Sequence, residues 1–519
     1  RDIGLAYAQE LLEQGASRRA VGEMPAPEAI DFDTLYGSTL KKGRGQLSPA
    51  TCVRAVQAAA ESDSLEAGLK RERELFMELM NSDQRLGLIH AFFSERAVSK
   101  LPELKGIAPR ALASIGVIGG GTMGAGIATA ALLAGLPVVM LEMSDEAAEA
   151  AKGRIAGNLQ GALKRGKISE AQFTQLTEEA LTLATDYDAL SDVDLVIEAV
   201  FEEMSVKKVV FGKLDAVCKK GAILASNTSY LDVNEIAACT SRPEDVIGLH
   251  FFSPVERMML VEIIKGKDTG DRAVAKALDY VRQIRKTPIV VNDARFFYAN
   301  RCIIPYINEG IRMVAEGVAP ALIENAAKLV GMPLGPLQLV DETSIDLGAK
   351  IARATKAAMG DAYPDGAVDE VIFWMEAQGR LGRKAKAGFY DYSEAGKRAG
   401  LSQIVADQYP QADDQPDLAE VQQRLLLVQS LEAVRALEDG VLMDIREGDV
   451  GAILGWGFAP WSGGPLSWLD MVGAPWAAAR CDALEAAHGA RFACPPLLRE
   501  MAEKGQSFYG RFGAQAKAA

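Results

Sequence analysis

Short apolar runs recur between residues 115 and 291 of the chain, and stretches with helical spacing of apolar positions lie on both sides of them. The runs Ile115 to Ile118, Val138 to Leu141, Val193 to Val200, Ala222 to Ser226, Asp245 to Leu249, Met258 to Ile264 and Pro288 to Val291 predict strands buried on both faces. The last of them allow a partly antiparallel order. Helical segments intervene, among them Ala147 to Leu163, so strand and helix alternate as in an open α/β sheet. From about Asp293 onward only helical spacing remains. Upstream, a short helix around Leu5 to Gln14 leads through a Pro- and Gly-punctuated stretch to Leu65, Leu69, Phe76, Leu79 and Met80. These five share one helical face, with Asp63 and Glu66 as a capping pair at its start. Leu86, Leu88, Ile89, Phe92 and Phe93 form a second apolar group. Such faces need cover, so this region is expected to pack on the rest of the chain or on something outside it.

The helical tail repeats itself. Gly335, Pro336, Leu337, Val340 and Asp341 correspond to Gly464, Pro465, Leu466, Leu469 and Asp470, each displaced by 129 positions. A constant offset implies an internal duplication. A basic, Gly-bounded turn, Gly382 to Tyr390, lies between the copies and suits a linker or a phosphate contact. The expected organisation is a helical segment and linker over 1–110, an α/β domain over 111–293, a helical domain over 294–400 and its duplicate over 401–519.

The first predicted strand breaks into Gly119-Gly120-Gly121-Thr122-Met123-Gly124, a G-x-G-x-x-G match that opens an Ala-rich helix. Gly119 permits the tight turn, Gly121 lets backbone approach a pyrophosphate, and Gly124 lets helix and strand lie close. The second strand ends at Glu142, about 20 residues on, where an acidic side chain can accept hydrogen bonds from a ribose. No arginine follows directly, which favours NAD over NADP. The fold class expected is therefore a Rossmann-type doubly wound α/β domain followed by two related all-α domains.

Composition narrows the setting. At 519 residues the chain has room for three or four domains, and its net charge of −14 argues against sequence-independent nucleic-acid binding. No apolar stretch approaches the length of a membrane span. Cys52, Cys218, Cys239, Cys302, Cys481 and Cys494 are scattered without C-x-x-C or histidine neighbours, so no metal site and no disulfide framework are expected. Reduced thiols, the absence of a signal peptide and a C-terminal Ala-Lys-Ala-Ala unlike the peroxisomal tripeptide suit a cytoplasmic setting.

Few residues can act as a base. Of three histidines, His90 sits among apolar neighbours as a packed or partly exposed helix residue, and His488 lies in a Gly- and Ala-flanked stretch that reads as exposed. His250 alone leaves a strand at the carboxyl edge of the sheet, where open α/β folds bind ligands. Glu262, in the apolar run Leu260 to Ile264, needs a partner to be buried, and an imidazole supplies one. A carboxylate on one ring nitrogen fixes the tautomer and raises the basicity of the other. Asn227, Thr228 and Ser229 emerge at the same edge, with Glu202 and Lys207 just beyond the preceding strand. Lys164 and Lys167 end the helix after Glu142, as solvated helix-end charges or as contacts for a phosphate-rich ligand.

In series, the glycine motif, DLVIEAVFE (Asp194 to Glu202), SNTS (Ser226 to Ser229), GLHFFSPV (Gly248 to Val255), LVEII (Leu260 to Ile264) and ANR (Ala299 to Arg301) resemble the 3-hydroxyacyl-CoA dehydrogenase family. With the duplicated helical tail, nearly the whole chain resembles the C-terminal part of the multifunctional α-subunit of fatty-acid oxidation complexes. The resemblance implies NAD as cofactor, an acyl-CoA substrate, and oxidation of L-3-hydroxyacyl-CoA to the 3-oxo thioester in β-oxidation. It places the general base on His250, the orienting carboxylate on Glu262, and the substrate-oxygen contacts on Ser229 and Asn300. It assigns the dinucleotide to Gly119, Gly121, Thr122, Met123, Gly124, Glu142, Ala199, Glu202, Lys207, Asn227 and Ser253, and coenzyme A phosphates to Lys164 and Lys167. Ser253 stands where monofunctional members carry Asn, and Arg295 to Ala299 replaces a Pro-Gly-Phe segment, changes that bear on cofactor geometry. A thiolase subunit and a second copy of the chain are candidate partners. Residues 1–110 resemble the region downstream of an enoyl-CoA hydratase core, so hydratase activity is not expected. The rival readings are a free 3-hydroxy acid dehydrogenase and a catalytically silent NAD-binding scaffold.

Overall fold

The structure, a computed structural model, describes residues 1–17, 30–101, 104, 106, 107, 112–360, 363 and 366–513. The C-terminal Ala-Lys-Ala-Ala and much of the Pro- and Gly-punctuated stretch lie outside the described residues. The chain divides into two compact units, Arg1–Arg85 and Leu86–Ala519.

Among its described residues the first unit is helical: Asp2–Glu13, Phe32–Gly43, Leu47–Glu61 and Leu65–Met80. The cap of the last helix is Ser64, whose side chain accepts from the Ala67 N–H at 3.2 Å, so the expected Asp63–Glu66 pair is displaced by one residue. Ser64 wins because its hydroxyl oxygen sits at the half-in position that faces the free N–H groups. Leu65, Leu69 and Phe76 remain about half exposed within the unit.

The second unit opens on the remainder of the helix Asp83–Ala97. Its small and polar side, not its apolar side, is the one that packs. A Cβ on Gly87 would stand 2.3 Å from the Trp461 carbonyl oxygen, and His90 Nε2 lies 3.1 Å from the buried Asp449 carboxylate. Leu86, Ile89, Phe92 and Phe93 stay exposed. The cover expected for them does not come from the second unit.

Eight strands then form one sheet: β1 (Ile115–Ile118), β2 (Val138–Leu141), β3 (Leu181–Ala184), β4 (Leu195–Glu198), β5 (Ile223–Ser226), β6 (Val246–Phe251), β7 (Leu260–Lys265) and β8 (Thr287–Asn292). Their order is β3-β2-β1-β4-β5-β6-β7-β8. All neighbours are parallel except β6 and β7, which run antiparallel. Alternate side chains feed two apolar layers, Ile115, Val117, Leu195 and Ile197 on one face and Ile118, Leu141 and Val196 on the other. Burial of both faces explains why the strands read as continuous apolar runs.

The helical tail contains the duplication in three dimensions. The helices Pro336–Thr343 and Pro465–Val472 start at corresponding prolines, a residue suited to the first helical position. In the first copy Asp341 accepts from Phe389 and Tyr390 N–H at 2.8 and 2.9 Å; in the second, Asp470 accepts from Phe508 and Tyr509 at 2.6 and 2.9 Å. Glu324 caps Leu337 N–H at 2.9 Å and takes the Tyr390 hydroxyl at 2.8 Å, while Asp449 caps Leu466 at 2.8 Å and takes Tyr509 at 2.6 Å. Each repeat thus sets one carboxylate, Glu324 or Asp449, between a helix start and a tyrosine hydroxyl, and a second, Asp341 or Asp470, on two successive backbone amides. The long helices Ala299–Ala315 and Leu418–Glu438 pack on each other around the buried Arg424, which meets Glu309 and Glu316, each at 2.6 Å. His488, expected to be exposed, ends a helix half-buried with Nε2 3.3 Å from Glu420, because the second repeat folds that end back onto the Leu418 helix.

Candidate active site

The glycine turn fits a dinucleotide. Gly119 has φ 88°, and a Cβ there would press on the Ala199 carbonyl oxygen at 2.8 Å, while a Cβ on Gly124 would lie 1.7 Å from the Gly119 oxygen. At Gly121 a Cβ would meet nothing within 4 Å, so this residue faces open space. Gly121 is the N-cap of the helix Thr122–Leu133 and offers no side-chain cap, which leaves the first-turn N–H groups for an anion. Glu142 Oε1 accepts the Gly120 N–H at 2.6 Å and Arg154 donates to the Gly120 carbonyl at 3.0 Å, so the two peptide units flanking Gly120 are both held. Thr122 is exposed and Met123 half-buried at the same turn.

Antiparallel pairing of β6 with β7 sets His250 directly opposite Glu262, on the same face of the sheet. His250 Nδ1 is 2.9 Å from Glu262 Oε2. The other carboxylate oxygen accepts the N–H groups of Tyr298 and Ala299 at 2.8 and 3.1 Å, at the start of the helix Ala299–Ala315. Glu262 has no exposed surface, yet its two oxygens accept two helix N-terminal amides and one ring nitrogen. The helix dipole favours the anion there. His250 Nε2 has no protein partner among the described residues, and the ring lies 4.6 Å from that of Phe252.

Polar residues gather around this pair. Asn300, on the first turn of the same helix, donates to the Ser229 carbonyl at 3.0 Å. Asn227 accepts the Phe251 N–H at 2.9 Å, tying β5 to the strand that carries the histidine. Glu202 takes the Thr228 hydroxyl at 2.5 Å and the Ser229 N–H at 2.7 Å. Lys207 is buried, its ammonium 2.8 Å from Glu198 and 3.1 Å from Glu202, so in this structure it braces the Ser229 loop from behind. These two carboxylates are the partners of the ammonium at the position where a dinucleotide contact is expected. Ser253 is exposed just past β6, on a turn clasped by Lys286, whose ammonium donates to the Val255 and Met258 carbonyls at 2.5 Å each. Burial pushes the Lys286 amine down to about 8. Lys164 and Lys167 stand exposed at the far end of the helix Asp145–Lys164.

Models of the NAD binding domain and of the C-terminal domain of 3-hydroxyacyl-CoA dehydrogenase match residues 114–294 and 297–392. The chain is 34% identical over 504 residues to the fatty acid oxidation complex subunit alpha of Shewanella amazonensis, an alignment covering 96% of this chain and 70% of that protein. The chain belongs to the 3-hydroxyacyl-CoA dehydrogenase family. It is also 34% identical to the glyoxysomal fatty acid beta-oxidation multifunctional protein MFP-a of Brassica napus, over 90% of this chain and 65% of that one. Among solved structures, 3-hydroxybutyryl-CoA dehydrogenase from Escherichia coli matches with a TM-score of 0.64 and 28% identity, over 76% of this chain and 99% of that one. This dehydrogenase is NAD-dependent, and its reaction is the oxidation of 3-hydroxyacyl-CoA in β-oxidation. Among its described residues no helix is long and apolar enough to cross a membrane.

Residue types could not announce everything that builds the dehydrogenase site. The Tyr298 and Ala299 amides are backbone groups and carry no side-chain signal. Glu198 did carry one: a carboxylate at the end of an apolar run, like Glu262, that called for a buried cation.

Proposed function

We propose that His250 takes the C3 hydroxyl proton of an L-3-hydroxyacyl-CoA at Nε2, and returns it in the reverse direction. Bound NAD supplies the hydride acceptor. Glu262 holds the Nδ1 proton, selects the tautomer with a lone pair on Nε2, and stabilises the imidazolium once it forms. Ser229 and Asn300 contact the substrate oxygen, and the dinucleotide lies over Gly119, Gly121, Thr122, Met123 and Gly124 with its ribose at Glu142. Ala199, Asn227 and Ser253 line its path; Glu202 and Lys207 act by holding the Ser229 loop. Lys164 and Lys167 receive the coenzyme A phosphates. The observation that carries this reading is the unbroken line of hydrogen bonds from helix N-terminus through Glu262 to a histidine with one nitrogen left over.

Residues 1–519 are proposed not to hydrate enoyl-CoA; the described residues of 1–110 are helical. A thiolase subunit and a second copy of the chain are the partners proposed for the helical repeats, and the bacterial cytoplasm is the proposed compartment. Replacing His250 with Gln tests the assignment. The expected result is loss of acetoacetyl-CoA-dependent NADH oxidation by about 10³-fold or more, with NADH binding unchanged. Retained turnover would overturn it, and a wild-type chain with no turnover at all would favour the silent scaffold.

A further inference from the structure

The loops that carry Ser229 and Asn300 leave different strands, β5 and β8, and three contacts join them. Asn300 Nδ2 donates to the Ser229 carbonyl at 3.0 Å, and the rings of Tyr230 and Phe296 face each other with centroids 6.0 Å apart. The third contact pairs two acids. Asp293, at the end of β8, uses Oδ2 to accept from the Asn234 backbone at 3.0 Å and from its side chain at 2.7 Å. Its other oxygen, Oδ1, is buried without a donor, and the Asn234 backbone N–H that Oδ2 accepts is shared with the carboxylate of Asp232, which places the two carboxyls side by side. Asp232 is itself the N-cap of the short helix Val233–Ala237, accepting from Asn234 and Glu235 N–H at 2.8 and 3.1 Å.

Two ionised carboxylates in contact repel, whereas one proton between them makes a strong hydrogen bond. The surroundings decide which oxygen keeps it. Burial and the neighbouring Asp232 push Asp293 up to about 7. Burial also works to raise Asp232, but its bond with Asp293 and the helix N–H groups outweigh that, and it is held below its ordinary value. Among the nearby lysines, Lys267 meets Asn234 through its backbone N–H, which donates to Oδ1 at 2.7 Å. Lys265 offers Asp293 only its backbone carbonyl and sends its ammonium toward Asp271 at 3.3 Å, and Arg295 donates to Thr355 at 3.1 Å.

What the joint secures is a strained turn. Phe296 and Phe297 have φ of 66° and 52°, two successive left-handed residues without the freedom of glycine. They directly precede the Tyr298 and Ala299 amides that hold Glu262, so the turn must be anchored at both ends. We propose that Asp293 is a positioning residue whose proton bridges to Asp232, locking the Ser229 loop to the turn that leads into Asn300. The joint loosens when Asp293 ionises. This rests on the reading of Ser229 and Asn300 as substrate contacts.

The test uses the full chain and two readouts. In infrared spectra the D293N-minus-wild-type difference at about pH 6 should show the loss of one protonated-carboxyl stretch, separate from that of Asp341, and that difference should vanish by about pH 9. The KM for acetoacetyl-CoA at saturating NADH should rise roughly tenfold over the same range in the wild type, the worth of one charge-assisted hydrogen bond. D293N, whose amide donates to Asp232 at every pH, should keep the low KM throughout, and D293L should show the high KM throughout. Absence of the protonated band, or the wild-type pH dependence of KM in D293N, would overturn the proposal, and neither outcome depends on D293L folding. If instead H250Q retained activity while the band was present, the site assignment would fail and the proton bridge would stand.

Discussion

Replacing Glu262 with Gln changes one oxygen for an NH₂ group at a position with no room for ambiguity. One end of the side chain must accept from the Tyr298 and Ala299 amides at 2.8 and 3.1 Å, so the amide oxygen is driven to that end. The NH₂ group then faces His250 Nδ1 at the 2.9 Å contact, and it can only donate. The imidazole must accept there, its proton moves to Nε2, and the lone pair aimed at the substrate hydroxyl is gone. The same exchange in a Ser-His-Asp triad traps the wrong tautomer, and by that measure kcat should fall about 10³- to 10⁴-fold, roughly 4–5.5 kcal/mol on the barrier. Stability should change far less. Loss of the anionic cap at the helix start costs about 1 kcal/mol, too little to unfold the chain. Single-turnover oxidation of NADH with acetoacetyl-CoA measures the chemical step, and NADH fluorescence measures binding. An E262Q protein that binds NADH and retains more than about a tenth of the wild-type kcat would refute the tautomer argument.

The glycine turn separates folding from binding. G124A should lower Tm and NADH affinity together, because its methyl would sit 1.7 Å from the Gly119 oxygen; G121V should leave Tm unchanged and weaken NADH binding alone, since only open space surrounds that position. Stability should fall as pH rises from about 4 toward 7. Asp293 and Asp341 are raised by burial from 3.8 to about 7 and about 6, so the folded chain keeps protons that the unfolded chain has released. The ceiling is about 1.4 kcal/mol per pH unit for each carboxyl, less for the partly exposed Asp293. Urea midpoints should show D293N gaining on the wild type over that interval, and parallel profiles would contradict the sign. With crotonyl-CoA and no NAD, residues 1–519 should leave the conjugated absorbance unchanged, and measurable loss of it would show a hydratase in this chain.

Much of this was legible from side-chain type. Strands buried on both faces leave no place for a stray polar residue, so Glu262 and His250 stood out against their runs, and the glycine turn declared its own geometry. The antiparallel step from β6 to β7 was less visible, although it alone sets those two residues opposite each other. Helix ends were missed by one residue at Ser64, where two adjacent polar side chains compete for the same N–H groups. The helix Asp83–Ala97 packs by a face that spacing does not reveal: hydrophobic spacing reports which face ought to be buried, while Gly87 and His90 bind by close approach and a hydrogen bond. The acid pair Asp232 and Asp293 lies on separate loops, and contacts between distant loops leave no periodic trace.

Glu262 grows from the sheet, but what holds it belongs to the first turn of the helical tail. The tail's second repeat grips the sheet as well, with Glu447 accepting the Val290 N–H at 3.0 Å and the Val441 carbonyl taking the Asn292 N–H at 2.9 Å. A molecule nicked or frayed at this seam therefore strips its base of alignment in the same event that strands a charge in oil. Damaged copies fall silent; they do not linger as sloppy catalysts.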